Sequence, residues 1–192
     1  MSEGKARVPT DKERKRLFEL ESSDPRNTAM LYLSYGCGLR VGEIATLNLG
    51  DVIDEDGKVI DSFDLKGRNT KSGKPRTVYL ANKKVREALA EYVAHLRTKG
   101  DVYLAGPLFM SYRRDRMSPN TLQQVFAWMY ERAGLKGCKS HSGRRYYATK
   151  LLNEGTDVRS VQELMGHANI NQTGRYADTD PVKLKAVAAK VI

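Results

Sequence analysis

The chain has 192 residues, 40% of them apolar, which is enough for one domain with a sizeable core. A formal net charge of +10 and a sequence pI of about 9.6 favour a polyanionic partner, either nucleic acid or an anionic membrane surface. No membrane protein is indicated, because no apolar run approaches the ~20 residues of a spanning helix and the N-terminal residues lack an apolar signal core.

Three helices are predicted in the N-terminal part of the chain. Thr10 and Glu13 have capping-box spacing, which predicts a helix over residues 10–22. A second helix is predicted over residues 25–38, because a proline begins it and glycines end it. Arg40 then stands at the start of a third helix, with the sequence VGEIATLNL.

Residues 51–80 differ in character from the helical segments on either side. The short segments VIDED, KVIDSFDL and RTVYL are separated by Asp-Gly and Ser-Gly-Lys-Pro turns. We expect one small antiparallel sheet here, with Lys71 at or near a hairpin.

The C-terminal part returns to helix signals, with caps, prolines and glycines that predict helices over residues 82–100, 118–134, 142–153 and 158–165. A last helix is predicted to begin at Pro181. No internal repeat or interdomain linker is visible. We therefore expect a tail at residues 1–9 and a single domain over residues 10–192, of class α+β and mostly α, with one small antiparallel sheet.

Six residues with basic or phenolic side chains stand in distinctive segments: Arg40 in GCGLRVGEIATLNL, Lys71 in NTKSGKPRTVYL, His141 and Arg144 in HSGR, His167 in ELMGHANI and Tyr176 in NQTGRYAD. In this order, with nine residues from His167 to Tyr176, they resemble the catalytic constellation of the tyrosine recombinase (phage integrase) family. The resemblance runs from about Thr10 to Tyr176 and covers most of the chain.

This resemblance implies a site-specific recombinase or integrase that cleaves and rejoins double-stranded DNA without metal or ATP. Tyr176 would attack a DNA phosphate to form a 3′-phosphotyrosyl ester, and Lys71 would protonate the leaving 5′ oxygen. His141 and His167 would hydrogen-bond the phosphate or accept the proton of the nucleophile. A phenol has an ordinary pKa of about 10, so the neighbouring cations must help it to attack.

No cofactor is expected, because the sequence contains no GxxxxGK[ST], GxGxxG or HExxH motif. The two cysteines, Cys37 and Cys138, lie far apart and have no zinc-ligand spacing around them. They indicate a reducing compartment, the cytosol or the nucleoid.

Arg40 and Arg144 would neutralise the phosphate, since a guanidinium is permanently charged and binds two oxygens at once. Glu43 lies three residues after Arg40 on the same helix face, which predicts an ion pair between them. In the family an acidic residue at this position orients the arginine, so the resemblance implies the same role for Glu43. Arg145 is an alternative to Arg144, although only Arg144 has the His-x-x-Arg spacing. Gly143 replaces the leucine that is usual in the family, and would leave a gap or permit a close approach of DNA.

Further basic residues are predicted to contact the DNA backbone: Lys74, Arg76, Arg113, Arg114, Arg116 and Arg145. Lys66 and Lys74 are alternatives to Lys71, which best fits the family's spacing. In the family, the segment after the tyrosine packs on a neighbouring protomer. We therefore expect self-association on DNA through a helix over residues 181–192, with packing in cis as the alternative.

Three other functions are considered. A type IB topoisomerase would use similar chemistry without partner-strand exchange, but the segment GLRVGEIATL resembles integrases. A non-catalytic DNA-binding regulator of the same fold is disfavoured by the complete set of catalytic residue types. An RNA-binding protein ranks last, because no ribonucleoprotein aromatic motif is present. An N-terminal core-binding domain, which most members of the family carry, is not expected in these residues.

Overall fold

The computed structural model describes residues 6–66, 75–100 and 103–166, and these ranges contain seven α-helices and two β-strands. In chain order the elements are α1 Asp11–Glu21, α2 Pro25–Cys37, α3 Val41–Thr46, β1 Ser62–Leu65, β2 Arg76–Tyr79, α4 Lys83–Thr98, α5 Pro119–Arg132, α6 Ser142–Asn153 and α7 Val158–Met165. The predicted class, α+β and mostly α with one small antiparallel sheet, is confirmed.

Local capping signals set several helix boundaries. At the start of α1, the Thr10 hydroxyl accepts the Glu13 N–H at 3.3 Å, and the Glu13 carboxylate accepts the Thr10 N–H at 2.8 Å. This is the predicted capping box, and it satisfies two backbone donors that the helix itself leaves without partners. At the end of α2, Gly38 adopts the left-handed conformation with φ of 66°, which only glycine adopts readily.

Helix α2 is the centre of the hydrophobic core and packs against α1, α4 and α6. Its residues Met30, Leu31 and Leu33 are fully buried. Each such side chain contributes about 1.5–3 kcal/mol through removal of apolar surface from water. The core therefore fixes the ends of α2 and α6 relative to each other, and these ends carry the residues described below.

Gly143, in the first turn of α6, is buried against α2. A Cβ atom added there would lie 2.4 Å from the Ser34 hydroxyl oxygen and 2.6 Å from Cδ2 of Tyr35. The expectation that Gly143 leaves a gap or admits DNA is therefore wrong. The glycine lets two helices approach closely, which places the next residue, Arg144, in the protein interior.

The sheet consists of β1 and β2 in antiparallel register, from the pair Ser62 and Tyr79 to the pair Leu65 and Arg76. The first predicted segment, VIDED, forms only an isolated bridge between Ile53 and Val59. Strand β2 packs against α7. Lys71 and Lys74, between the strands, lie outside the described residues, as do His167, Tyr176 and the predicted last helix.

Within the described ranges, no helix combines the length and the apolar character that are needed to cross a bilayer.

Candidate active site

The carboxylate of Glu43, on α3, lies among three arginines and is only 2% exposed. Arg76 forks onto it, with Nη1 at 2.9 Å from Oε1 and Nη2 at 2.8 Å from Oε2. Arg40 Nη1 donates to Oε1 at 2.7 Å, and Arg144 Nη1 lies 3.8 Å from Oε2. These four side chains, named the Glu43 cluster below, bring three positive charges to one negative charge.

The start of α3 explains how Arg40 comes to be there. Arg40 is the N-cap residue, and its backbone N–H donates to Oε2 of Glu43 at 2.8 Å. The same carboxylate therefore holds both the backbone and the guanidinium of Arg40, so the predicted ion pair exists. With 16% of its side chain exposed, Arg40 is the most exposed arginine of the cluster, whereas Arg76 and Arg144 are buried.

Arg144 joins two helix ends that are distant in the sequence. Its Nη1 donates to the carbonyl of Gly38, after α2, at 2.5 Å, and its Nη2 donates to the carbonyl of Met165, at the end of α7. Two carbonyls and one carboxylate thus orient the guanidinium. Arg40 and Arg144 consequently lie beside the same carboxylate, although more than half the chain separates them in sequence.

The charge state of Glu43 follows from its neighbours. Burial acts to raise the pKa of this carboxyl group, because the charged form loses hydration. The hydrogen bonds and charge of Arg76, then the charge of Arg144 and the backbone N–H of Arg40, outweigh burial and lower the pKa. Glu43 is therefore a carboxylate at neutral pH and can hold the arginines in place.

Two other predicted catalytic residues lie close in sequence to the helix ends that form this cluster. His141 is exposed at the N-cap position of α6, one turn before Arg144. Helix α7 ends at Gly166, with φ of 59°, so the chain turns away immediately before His167. His167 itself, Tyr176 and Lys71 lie outside the described residues.

The basic residues predicted to contact DNA have different environments. The Nη1, Nη2 and Nε atoms of Arg76 all donate within the protein, to Glu43 and to the carbonyl of Leu164, which does not fit the predicted contact with DNA. Arg145 donates to the carbonyl of Ala6 and is only partly exposed. The remaining described members, Arg113, Arg114 and Arg116, lie on an exposed turn.

That turn is tied to the body of the protein. Arg116 donates to the carbonyls of Ala45 and Leu47 at 3.2 and 2.9 Å, which caps the C-terminal end of α3. Arg114 donates to the carbonyl of Lys99 at 2.7 Å. The turn is therefore held on the same helix that carries Arg40 at its other end.

Sequence reasoning missed the inward position of Arg76, although a signal exists. Strand β2 alternates, with Arg76 and Val78 buried and Tyr79 exposed. Since successive side chains of a strand point to opposite faces, Arg76 must share the face of the core residue Val78. An arginine on an apolar strand face needs a buried acid, and Glu43 is that acid.

Within the described ranges, no group of three histidine, cysteine, aspartate or glutamate side chains is placed to hold a metal ion. The binding chemistry of the cluster comes instead from its guanidinium groups, which suit an anion with several oxygens.

Comparison with known proteins agrees with this geometry. The family model described as "Phage integrase family" matches residues 8–182. The chain belongs to the phage integrase family. Among curated members, it is 36% identical to tyrosine recombinase XerC of Rhodospirillum centenum over 163 residues, which cover 84% of the chain and 45% of that protein. It is 33% identical to tyrosine recombinase XerA of Pyrococcus furiosus over 180 residues, which cover 92% of the chain and 58% of that protein.

Solved structures of the family share the fold. The crystal structure of XerA recombinase superposes with a TM-score of 0.76 at 30% identity, over 96% of this chain and 64% of that one. The Tn1549 transposon integrase, solved in complex with transposon right end DNA, gives a TM-score of 0.79 at 18% identity, over 98% of this chain and 67% of that one. The chain therefore spans about half the length of the curated relatives described above.

Proposed function

We propose that the chain is the catalytic domain of a tyrosine recombinase, which cleaves and rejoins double-stranded DNA through a phosphotyrosyl intermediate. The similarity to proteins named tyrosine recombinase, over most of the chain, supports this proposal. The proposed catalytic residues are Arg40, Lys71, His141, Arg144, His167 and Tyr176, with Glu43 in support.

One observation carries the proposal, namely the Glu43 cluster. A single carboxylate cannot neutralise three guanidinium groups, and Arg40 and Arg144 reach it from helices that are distant in sequence. A DNA phosphodiester has two non-bridging oxygens that share one negative charge. Two oriented guanidinium groups would neutralise that charge as the transition state forms, without any reorganisation of solvent.

The proposed reaction balances without a cofactor. The Tyr176 phenolate oxygen attacks phosphorus, the bond from phosphorus to the 5′ oxygen breaks, and Lys71 transfers a proton to that oxygen. His141 and His167 hydrogen-bond the phosphate or accept the phenol proton. Because the phosphotyrosyl ester keeps the bond energy, a 5′-hydroxyl of a partner strand can attack it and restore a phosphodiester.

The wider assembly is part of the same proposal. Residues 10–192 would form one catalytic domain, and the segment 181–192 would pack on a neighbouring protomer when both are bound to DNA. The exposed arginines of the turn, Arg113, Arg114 and Arg116, would add contacts to the phosphate backbone, as the net charge of +10 favours. Such a protein would work on the nucleoid.

The test is to trap the covalent intermediate. When the DNA duplex has a nick near the cleavage point, cleavage releases a short strand that carries the 5′-hydroxyl. This strand diffuses away and cannot reverse the reaction, so the adduct accumulates. We expect an adduct in EDTA that peptide mapping assigns to Tyr176. Tyr176→Phe should bind DNA equally well and form no adduct, whereas Tyr79→Phe, which alters an exposed tyrosine of β2, should react normally.

Two results would contradict the proposal. An adduct on another tyrosine, or a strict need for a divalent metal, would rule out this mechanism. If the wild-type protein binds its site and never cleaves it, the alternative of a non-catalytic DNA-binding regulator would replace the proposed function.

A further inference from the structure

We infer that Arg76 is a positioning residue, which holds the two proposed phosphate-binding arginines and the end of α7 in register with the sheet. This inference rests on the proposed function, because it concerns the geometry of the same site. Three contacts of the Arg76 side chain carry it, one with Glu43 on α3 and two with the end of α7.

The first contact fixes the carboxylate. Arg76 binds both oxygens of Glu43, at 2.9 and 2.8 Å, in the parallel two-bond geometry that only a guanidinium provides. Such a fork prevents rotation of the carboxylate about its last bond. Since Arg40 binds Oε1 and Arg144 lies 3.8 Å from Oε2, the orientation of the carboxylate sets the separation of these two arginines.

The second contact fixes the end of α7. The remaining donor, Nε of Arg76, reaches the carbonyl of Leu164 at 3.2 Å. The next carbonyl, that of Met165, accepts from Arg144. Two arginines of one cluster thus hold two consecutive carbonyls, three and two residues before His167. The position at which the chain leaves α7 is therefore coupled to the phosphate-binding groups.

The third contact concerns the close approach of Gly166. A Cβ atom added at Gly166 would lie 2.7 Å from Cδ of Arg76, so the backbone of residue 166 lies directly on the methylene groups of the arginine. Any side chain at Gly166 would displace Arg76 or the start of the following segment. The position of the Arg76 side chain therefore requires a glycine at residue 166.

Strand pairing places Arg76 at one end of the described sheet. Arg76 pairs with Leu65 in the last described pair of β1 and β2. Lys71, the proposed general acid, belongs to residues 67–74, which connect the two strands in sequence. Arg76 therefore joins the end of the sheet, the two arginines and the end of α7, and its side chain is 5% exposed, so water does not compete for its donors.

The inference predicts a specific defect in cleavage. Arg76→Leu and Arg76→Lys are compared with wild type in single-turnover cleavage of the nicked duplex, at saturating protein. We expect Arg76→Leu to cleave about 10²-fold more slowly, since a displacement of ~1 Å costs that much at a site that needs exact alignment. The affinity for DNA should change by less than about 3-fold, because many other cations contact the backbone.

The conservative variant keeps the test valid if the leucine variant folds poorly. Arg76→Lys retains one cationic contact with Glu43 and loses the fork and the contact with Leu164, so it should recover only part of the rate. The matched control is Arg86→Leu. Arg86 also lies beside the sheet, but its guanidinium donates to Asp61 and to the carbonyls of Val59 and Ile60 rather than to the cluster. Its loss should leave the cleavage rate unchanged.

A double-mutant cycle separates positioning from stability. If Arg76 acts through Glu43, then Arg76→Leu should slow cleavage much less in a Glu43→Gln background than in wild type. If Arg76 acts only on stability, the two substitutions should have additive effects on the free energy of unfolding. Neither effect would then appear in the cleavage rate of the folded protein. Cleavage by Arg76→Leu within about 3-fold of wild type would overturn the inference.

Hydrogen exchange tests the same geometry without catalysis, and so distinguishes the inference from the proposed function. In Arg76→Leu, the peptide that covers the end of α7 should lose protection, whereas in Arg86→Leu it should not. If wild type forms no adduct but this difference is seen, the proposed function fails and the positioning role stands. If the end of α7 keeps its protection in both Arg76 variants, the positioning role is contradicted.

Discussion

Two buried carboxylates of this protein have opposite surroundings. Glu21, at the end of α1, is 1% exposed and accepts from the Asn27 amide at 2.9 Å and from Arg132 at 2.7 Å. Arg132 itself is 41% exposed and also donates to the carbonyl of Leu20. Glu43 is 2% exposed and faces three arginines, two of which are buried.

The difference separates a structural ion pair from a site. Glu21 meets one positive charge, that of the half-exposed Arg132, and the Asn27 amide adds a neutral hydrogen-bond donor. These contacts hold α5 against the connection between α1 and α2. The Glu43 cluster contains more positive than negative charge, which is costly in the protein interior unless an anion completes it. A fold that keeps such an imbalance at a partly exposed arginine is suited to bind a phosphate there.

The largest expected effect is on stability. Glu43→Ala leaves three guanidinium groups together without their shared carboxylate and should lower the free energy of unfolding by about 3–5 kcal/mol. Glu21→Ala should cost about 1–3 kcal/mol, because Arg132 is exposed enough to regain water. Urea unfolding measures both values. Sulfate should restore more stability to the Glu43 variant than to the Glu21 variant, and equal recovery would remove the distinction between the two sites.

The next effect concerns catalysis. Arg40→Ala and Arg144→Ala should each slow cleavage of the nicked duplex by at least about 10²-fold, the usual cost of one oriented donor in a charge-stabilising site. Arg132→Ala, the matched change at Glu21, should slow it little. Arg145→Ala should also be mild, since that side chain donates to the carbonyl of Ala6 rather than to the cluster. If Arg145→Ala slows cleavage strongly and Arg144→Ala slows it only slightly, the phosphate-binding arginine is Arg145 and not Arg144.

A smaller effect should arise at Gly143, which brings Arg144 to the cluster. Gly143→Ala places a methyl group 2.4 Å from the Ser34 hydroxyl oxygen and should cost about 1–3 kcal/mol through overpacking. Gly42→Ala, on α3 near Arg40, meets nothing within 4 Å and should be neutral or stabilise by up to about 1 kcal/mol. Thermal unfolding compares the two variants, and equal stabilities would show that the helices separate freely.

The smallest effect is the pH dependence of stability. The folded-state pKa of Glu43 lies below its ordinary value of 4.5, so its stabilising contribution is present above that pH and is lost as pH falls through the folded-state value. Wild type should therefore lose more stability than Glu43→Gln between about pH 6 and about pH 3. Arg7 likewise lowers the pKa of Glu13 to about 2, but this contribution is common to both proteins and cancels. Parallel losses would contradict the assigned charge state.

Local signals allowed the sequence to predict much of this structure. The capping box of Thr10 predicted α1, and the helices over residues 142–153 and 158–165 have the expected boundaries. Arg40 and Glu43 were recognised together because they are one helical turn apart. Their partner Arg76 was predicted to contact DNA. The alternation of β2 could have placed Arg76 on the buried face, but its pairing with Glu43 depends on how the sheet packs against α3 and α7, which no local pattern reports.

The same reason explains Gly143 and Arg116. A glycine near a helix start suggests open space in a sequence, but here it marks close packing against a helix that lies far away along the chain. Arg116 was predicted only as a DNA contact, yet it caps the end of α3 through two carbonyls. Contacts between distant segments decided the role of each residue.

The central claim is that the Glu43 cluster neutralises the charge of the phosphate that reacts. It is tested most directly with a nicked duplex in which a methylphosphonate, which carries no charge, replaces the phosphate at the cleavage point. Arg144→Ala should lose about 10²-fold or more in rate on the ordinary substrate, and far less on the methylphosphonate, since no charge remains to be neutralised. An equal loss on both substrates would contradict the claim and leave Arg144 a structural role alone.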